Sequence, residues 1–337
     1  MRTIEWKNGI VTTIDQTKLP SEVVMLEMEE CQQVASAIID MKIRGAPLIG
    51  VAAAYAMALS AYHSKAKTGK ELIREIEDSA RLLKKTRPTA VNLFWAVDRI
   101  MNKASETIGT VRTVIKAVVE EANKMADEDV EINREMGEHG SALLNDGDVI
   151  LTHCNAGSLA TVDHGTALGV IRVAWEQGKK ISVIATETRP KLQGARLTAY
   201  ELQTDGIPVT LITDTMVGYV MRNRLVTKVI VGADRIVQDA VINKIGTFGV
   251  AVLAHEHKIP FYVAAPTSTF DLDRLADEVV IEERKPEEVT HFGTQKIAPN
   301  GVKVLNPAFD VTSMHYVTAV ICEAGVLSPK DLEKHVK

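Results

Sequence analysis

Cysteine is scarce in this chain of 337 residues: Cys31, Cys154 and Cys322 stand far apart, with no C-x-x-C pair. That spacing argues against a disulfide framework and a structural zinc site. Three separate, reduced thiols fit a cytosolic protein. Aromatics make up only 4% of the residues, so the core has to be built from Ala, Val, Ile, Leu and Met. Positive charge is in the minority, 39 Lys and Arg against 44 Asp and Glu, for a net charge of -5. This balance argues against a nucleic-acid partner held by bulk electrostatics and leaves only local basic pockets. No apolar run suits a bilayer: the most apolar helical pattern, Pro47 to Tyr62, is Ala-rich, flanked by charge and too short. The segment Arg2-Thr3-Ile4-Glu5-Trp6-Lys7 carries charge where a signal peptide needs an apolar stretch. The expectation is a cytoplasmic protein with neither a membrane nor a nucleic-acid partner.

What is present is ordinary globular material, 46% hydrophobic and 25% charged, enough for a sizeable core. The length suggests two domains. Asn8-Gly9 between Ile4-Glu5-Trp6 and Ile10-Val11-Thr12-Thr13-Ile14 signals a hairpin. Helical patterns follow over Glu30 to Met41, Pro47 to Ala61, Lys70 to Lys85, Pro88 to Lys103 and Val111 to Leu144. The acidic stretch Asp127-Glu128-Asp129 suggests a break in the last of these, and the domain boundary is placed there: residues 1–130, then 131–337.

The second half changes character. Short β-branched runs at Val149–Leu151, Ile181–Ile184, Val209–Ile212, Lys228–Val231 and Pro260–Val263 alternate with helical patterns. Such alternation indicates an α/β domain with a mostly parallel sheet covered on both faces. Ligands of such sheets sit beyond the carboxyl ends of the strands. The residues there are His153-Cys154-Asn155, Glu187-Thr188-Arg189-Pro190, Asp214, Gly232-Ala233-Asp234-Arg235 and Ala265-Pro266-Thr267. A thiol, carboxylates and guanidiniums would converge on one edge, which marks a site better than any single motif.

Cys154 is either an inert packing residue or an acid/base or nucleophilic thiol, its thiolate favoured by the N-terminus of a following helix. His153 reads as a packing or hydrogen-bonding neighbour. Asp234 is a general acid if burial raises its pKa; otherwise it caps a helix or pairs with Arg235. Asp214 reads as a cap of the helical pattern it precedes. In the first half, Arg44-Gly45-Ala46-Pro47 opens the buried helix. Its free N–H groups and Arg44 form an anion site, with Gly45 allowing close backbone approach. Thr86-Arg87-Pro88-Thr89 repeats the arrangement. With Gln193, Asn243 and Lys244 these suggest a phosphate-binding cleft between the domains. No G-x-G-x-x-G, P-loop or G-x-S-x-G elbow is present.

In combination these segments resemble the 5-methylthioribose-1-phosphate isomerases of methionine salvage. The resemblance rests on Thr152–Ala160, Glu187–Pro190 with Gln193–Thr198, Gly232–Arg235, Arg44–Pro47, Arg87–Leu93 and Asn243–Thr247. It extends from Arg2–Trp6 and Ile14–Pro20 to Asn306–Asp310, nearly the whole chain. That family is similar in fold to regulatory subunits of the translation-initiation exchange factor and to ribose-1,5-bisphosphate isomerases.

The resemblance implies a small N-terminal hairpin and helical domain followed by a Rossmann-like domain. It implies aldose–ketose isomerisation of a sugar 1-phosphate, with Cys154 and Asp234 catalytic. Arg44, Gly45, Ala46, Arg87, Gln193, Asn243 and Lys244 then hold the substrate. It implies no metal or organic cofactor, and a homodimer. One departure stands out: bacterial members carry Asn-Gly-Asp between Asp-Arg and Asn-Lys, where this chain has Ile236-Val237-Gln238-Asp239-Ala240-Val241-Ile242. A changed loop there allows a different substituent at C5, such as that of 5-deoxyribose 1-phosphate. Two other readings stand beside the first: a ribose 1,5-bisphosphate isomerase, which needs a second basic subsite, and a non-catalytic regulatory subunit, which needs no thiol and acid together.

Overall fold

The computed structural model describes residues 2–335, so the extreme ends of the two expected domains, residue 1 and residues 336–337, lie outside it. Its contacts form two units, one running to Glu135 and including Ala156–Gly169, the other comprising Met136–Asn155 and Val170 onward. Beside the expected limits of 1–130 and 131–337, this division falls later and returns a short segment to unit 1.

Unit 1 opens with β1 (Ile4–Lys7), β2 (Ile10–Ile14) and β3 (Met25–Met28), an antiparallel sheet in that order. Asn8 and Gly9 turn the first hairpin with positive φ, 51° and 81°, as the Asn-Gly pair requires. Helices α1 (Cys31–Ile39), α2 (Ala46–Tyr62), α3 (Gly69–Lys84), α4 (Val91–Glu106) and α5 (Val111–Ser141) follow. Helix α2 is apolar all round and is buried everywhere but Ser60 and Tyr62, so the others wrap around it.

The expected break at Asp127-Glu128-Asp129 is absent; α5 runs straight through. Each acid has a partner there. Asp127 pairs with Arg2 and Glu128 with Arg99, both at 2.6 Å, and Asp129 accepts the Val162 N–H at 2.7 Å. That last bond helps explain why Ala156–Gly169 packs in unit 1. Thr3 also donates to Val162 O, and Gln16 Nε2 to Leu159 O.

Unit 2 carries the parallel sheet. Its elements are β4 (Val149–Thr152), β5 (Ser182–Thr186), α7 (Ala199–Thr204), β6 (Val209–Ile212), α8 (Val217–Arg222), β7 (Lys228–Val231), β8 (Arg235–Val237), β9 (Ala240–Lys244), α9 (Thr247–Glu256), β10 (Phe261–Ala264), β11 (Phe270–Asp271), α10 (Glu287–Thr290), β12 (His291–Phe292), β13 (Gln295–Lys296), β14 (Phe309–Ser313), β15 (Ala319–Cys322), β16 (Gly325–Leu327) and α11 (Leu332–His335). Helix α6 (Ala167–Glu176) bridges the sequence between β4 and β5. The order across the seven-stranded sheet is β16-β15-β10-β7-β4-β5-β6, parallel except for β16.

The chain passes from β4 outward through β5 to β6, then crosses back to β7 on the other side of β4. The topological switch therefore lies between β4 and β7, where ligands of open α/β sheets bind. A second sheet, β11-β8-β9-β14, lies beyond what the sequence suggested. The segment Ile236–Ile242, expected only as a connection, is most of the β8–β9 hairpin. The polar stretch Ile281–Asn300 is mostly irregular, with the short α10 and a two-residue hairpin.

Candidate active site

Cys154 and Asp234 follow β4 and β7, the two strands flanking the switch point, with Leu151 paired to Val229 in register. Both are partly exposed, whereas Cys31 and Cys322 are buried. The helix expected to follow Cys154 is α6, but it begins only at Ala167, with one 3-10 turn over Ser158–Ala160 before it. The thiol therefore owes nothing to a helix N-terminus immediately behind it.

Its backbone is held instead by side chains. Cys154 sits in the left-handed region at φ 66°, a conformation uncommon outside glycine. Its N–H donates to Thr188 Oγ1 at 2.9 Å, and its carbonyl accepts from Thr198 Oγ1 at 2.7 Å. Behind it, Asn155 Nδ2 donates to Glu201 Oε1, and Glu201 Oε2 takes Arg172 at 2.8 Å. All three of these side chains are buried, and pairing offsets the cost of burying charge.

Thr188 also has positive φ, 62°. The Asp214 carboxylate fixes its loop, accepting the N–H groups of Thr188 and Arg189, each at 2.7 Å. Asp214 is thus not the helix cap the sequence suggested; the residue before that helical turn is Thr213, which makes no side-chain cap bond. A π turn over Gly194–Thr198 follows the loop, a form of helix frequent at functional sites. Gly194 is wedged against β5: a Cβ there would stand 1.7 Å from Thr186 O. Gln193, just before it, is 3% exposed, and its buried Oε1 has no hydrogen-bond partner.

Asp234 leads into the β8–β9 hairpin, not into a helix, which removes the reading of it as a helix cap. Its N–H donates to Ile242 O at 3.0 Å, setting the acid across the hairpin from Asn243 and Lys244. Arg235 pairs with Asp271 at 3.1 Å. Asn243 and Lys244 are buried at 4% and 5% exposure. Asn243 Nδ2 donates to Thr247 Oγ1, and Lys244 Nζ donates to Ala308 O at 2.8 Å.

His153 ties this hairpin to β4. Its Nε2 faces Ile245 O at 2.8 Å and its Nδ1 faces Thr186 Oγ1 at 2.7 Å. Burial pushes the imidazole below its usual pKa, so the ring stays neutral. A carbonyl only accepts, which puts the hydrogen on Nε2 and leaves Nδ1 to accept from Thr186.

Unit 2 thus carries Cys154 and Asp234 at the carboxyl ends of neighbouring strands, Gln193 in the loop after β5, and Asn243 and Lys244 on β9 of the second sheet. Arg44, Gly45, Ala46 and Arg87 belong to unit 1. Gly45 precedes α2 with φ 97°, and Pro47 stands in the first turn. A Cβ on Gly45 would meet Ala160 Cα at 2.5 Å, so the close approach it permits is made by the protein's own chain. Arg44 is 8% exposed. Helix α4 begins at Val91, not at Pro88 as expected; Ala90 N–H closes a turn onto Arg87 O, and Arg87 lies in that turn. Its guanidinium touches Met41 Sδ at 3.6 Å.

Sequence reasoning missed Thr198, Glu201, Arg172 and Asp310 as supports of this edge. Among the described residues, no three His, Cys, Asp or Glu side chains cluster as metal ligands, and no helix is long and apolar enough to cross a membrane.

Comparison with known proteins adds a consistent picture. The model of the initiation factor 2 subunit family matches residues 42–329. Methylthioribose-1-phosphate isomerase of Thermosipho africanus is 53% identical over 97% of this chain and 95% of its own length. The crystal structure of 5-methylthioribose 1-phosphate isomerase from Pyrococcus horikoshii superimposes with a TM-score of 0.92 at 47% identity, covering 99% of this chain and 95% of the other. A structure from Archaeoglobus fulgidus, described as translation initiation factor eIF-2B, subunit delta, superimposes with a TM-score of 0.89 at 54% identity, covering 100% and 98%.

Proposed function

The chain belongs to the initiation factor 2 subunit family, and from its likeness to methylthioribose-1-phosphate isomerases we propose that it isomerises 5-methylthio-α-D-ribose 1-phosphate to 5-methylthio-D-ribulose 1-phosphate. It is an aldose–ketose isomerase of methionine salvage. The observation that carries this reading is the thiol and carboxyl at the ends of β4 and β7, on either side of the switch point.

The chemistry explains the pairing. The 1-phosphate blocks spontaneous opening to a free aldehyde, so the C1–O4 bond must be broken with a proton supplied to O4. Asp234 in its protonated form supplies it. Hydrogen then moves from C2 to C1, and the C2 hydroxyl loses its proton to become the ketone. The Asp234 carboxylate, having given up one proton, can recover another from that hydroxyl. Two routes carry the hydrogen. In one, the Cys154 thiolate removes the C2 proton, passes through an enol and returns it at C1. In the other, hydride shifts directly from C2 to C1 and Cys154 stabilises the transition state.

Arg44, Arg87 and the N–H groups of Gly45 and Ala46 hold the phosphate in this reading, as an arginine and a helix start do elsewhere. Gln193, Asn243 and Lys244 hold the sugar. The partnerless buried Oε1 of Gln193 supports an acceptor kept for a sugar hydroxyl. The protein acts without a cofactor, as a cytoplasmic homodimer; light scattering on the purified protein tests the assembly.

The test is to offer the purified protein methylthioribose 1-phosphate, ribose 1,5-bisphosphate and 5-deoxyribose 1-phosphate in turn, and to follow ketose formation by NMR. Turnover of the first is expected. Turnover of none would favour the reading as a non-catalytic regulatory subunit. In deuterated water, solvent label at C1 of the product marks the proton route.

A further inference from the structure

Asp310 lies on β14, which pairs antiparallel with β9 so that Asp310 stands opposite Asn243 and Phe309 opposite Lys244. Its carboxylate reaches past that ladder to the start of α9. One oxygen accepts the Gly246 N–H at 2.7 Å, the other the Phe248 N–H at 3.1 Å. Gly246 has φ 104°, and a Cβ there would stand 3.0 Å from the His153 ring. The turn that follows Asn243 and Lys244 is therefore clamped between a carboxylate and an imidazole.

The hydrogen bonds continue from that clamp. Ile245 O takes His153 Nε2–H, and Thr186 Oγ1 lies 2.7 Å from His153 Nδ1. The Thr188 hydroxyl lies 3.2 Å from that of Thr186 and accepts the N–H of Cys154 at 2.9 Å. With Nδ1 as acceptor, Thr186 donates to the ring, and the Thr188 hydroxyl donates back to Thr186, whose Oγ1 lies 3.2 Å and whose carbonyl oxygen 3.3 Å away. Each group in the line then has its donor and acceptor matched. Thr186, Thr188 and His153 are buried, where a half-satisfied network would be costly.

We propose that Asp310 is a positioning residue for the isomerisation, acting through Gly246, His153, Thr186 and Thr188 to set the Asn243-Lys244 turn and the Cys154 backbone together. The proposal rests on the reading that Cys154, Asn243 and Lys244 serve that reaction. It assigns Asp310 no contact with substrate. The carboxylate is suited to the task because its two oxygens engage two N–H groups of one turn.

The test uses the full chain with Asp310→Ala and Asp310→Asn. Asn keeps one acceptor oxygen, so it should fall between wild type and Ala. Two quantities are read. Steady-state kinetics with methylthioribose 1-phosphate should show, for Asp310→Ala, a kcat lower and a KM higher, each by about tenfold. Partial unfolding alone would lower kcat and leave KM unchanged. Iodoacetamide labelling followed by mass spectrometry should show the Cys154 rate changed about threefold or more, with the buried Cys31 and Cys322 unaffected.

Labelling of all three cysteines in Asp310→Ala would signal an opened fold, and Asp310→Asn then decides. Wild-type kcat, KM and Cys154 labelling in a folded Ala or Asn variant would overturn the proposal. A wild-type protein inert toward the sugar phosphate, with Cys154 labelling still altered by Asp310→Ala, would remove the functional reading and leave the relay standing.

Discussion

Cys154 and Thr188 meet as two residues in the left-handed region, φ 66° and 62°, joined by a 2.9 Å hydrogen bond from the Cys154 N–H to the Thr188 hydroxyl. A β-branched residue at positive φ is an outlier, and such strain persists where the surroundings over-determine it. Here the surroundings are identifiable. Asp214 holds the Thr188 loop from one side, and the Cys154 carbonyl is held by Thr198 from the other.

Thr188→Val keeps the shape and removes the hydroxyl that accepts the Cys154 N–H, a loss of about 0.5–1.5 kcal/mol. A fall in kcat of about tenfold is expected, since small displacements of a catalytic group are felt strongly. Thr188→Ser keeps the hydroxyl and should stay near wild type. Equal rates for the Ser and Val variants would show that this bond does not position the thiol.

Cys154→Ala and Asp234→Asn should each lower kcat by at least about a hundredfold, the scale of losing a positioned acid or base. Circular dichroism should be unchanged, because both side chains are partly exposed. A near-normal rate in either variant would remove that residue from the mechanism.

Gly194→Ala puts a methyl 1.7 Å from Thr186 O and 2.8 Å from Thr188 Oγ1. Backbone has to move, at a cost of about 3 kcal/mol or more. The displacement falls on the two threonines that lead to Cys154, so activity should drop at temperatures where the variant is still folded. Urea unfolding and an assay at 25 °C, run on one preparation, check both halves. Wild-type stability would mean the π turn can yield.

Asp129 is buried in α5, and burial pushes its carboxyl up to about 7. An aspartate in the unfolded chain titrates near about 4. Between those values the folded chain holds a proton the unfolded chain has lost, so this group's contribution to stability falls as pH rises through that window. Asp129→Asn removes the titration and keeps an oxygen for the Val162 amide. The variant should gain on wild type as pH rises from about 4 to 7, by up to a few kcal/mol. A Tm difference constant across that range would show that Asp129 does not titrate there.

Much of this protein was legible in its sequence. The Asn8-Gly9 hairpin, the buried α2 and five strands of the parallel sheet all announce themselves through period and turn chemistry, which are local properties. So do the residues at the strand ends, because a parallel sheet puts every carboxyl end on one edge. The β8–β9 hairpin hid because its strands, Arg235–Val237 and Ala240–Lys244, are short and buried without alternation. The continuity of α5 hid because its acids are matched by Arg2 and Arg99, far away in sequence.

The sequence by itself determined which side chains follow the strands of the parallel sheet: a thiol at Cys154 and an acid at Asp234. Only the tertiary structure decided that β4 and β7 are neighbours and that the switch point falls between them. It also decided that Cys154 takes a left-handed backbone, held by hydroxyls 34 and 44 residues further along the chain. Periodicity cannot carry that information. A backbone held against its own preference needs partners brought in by the packing of distant segments, and those contacts exist only once the sheet has formed.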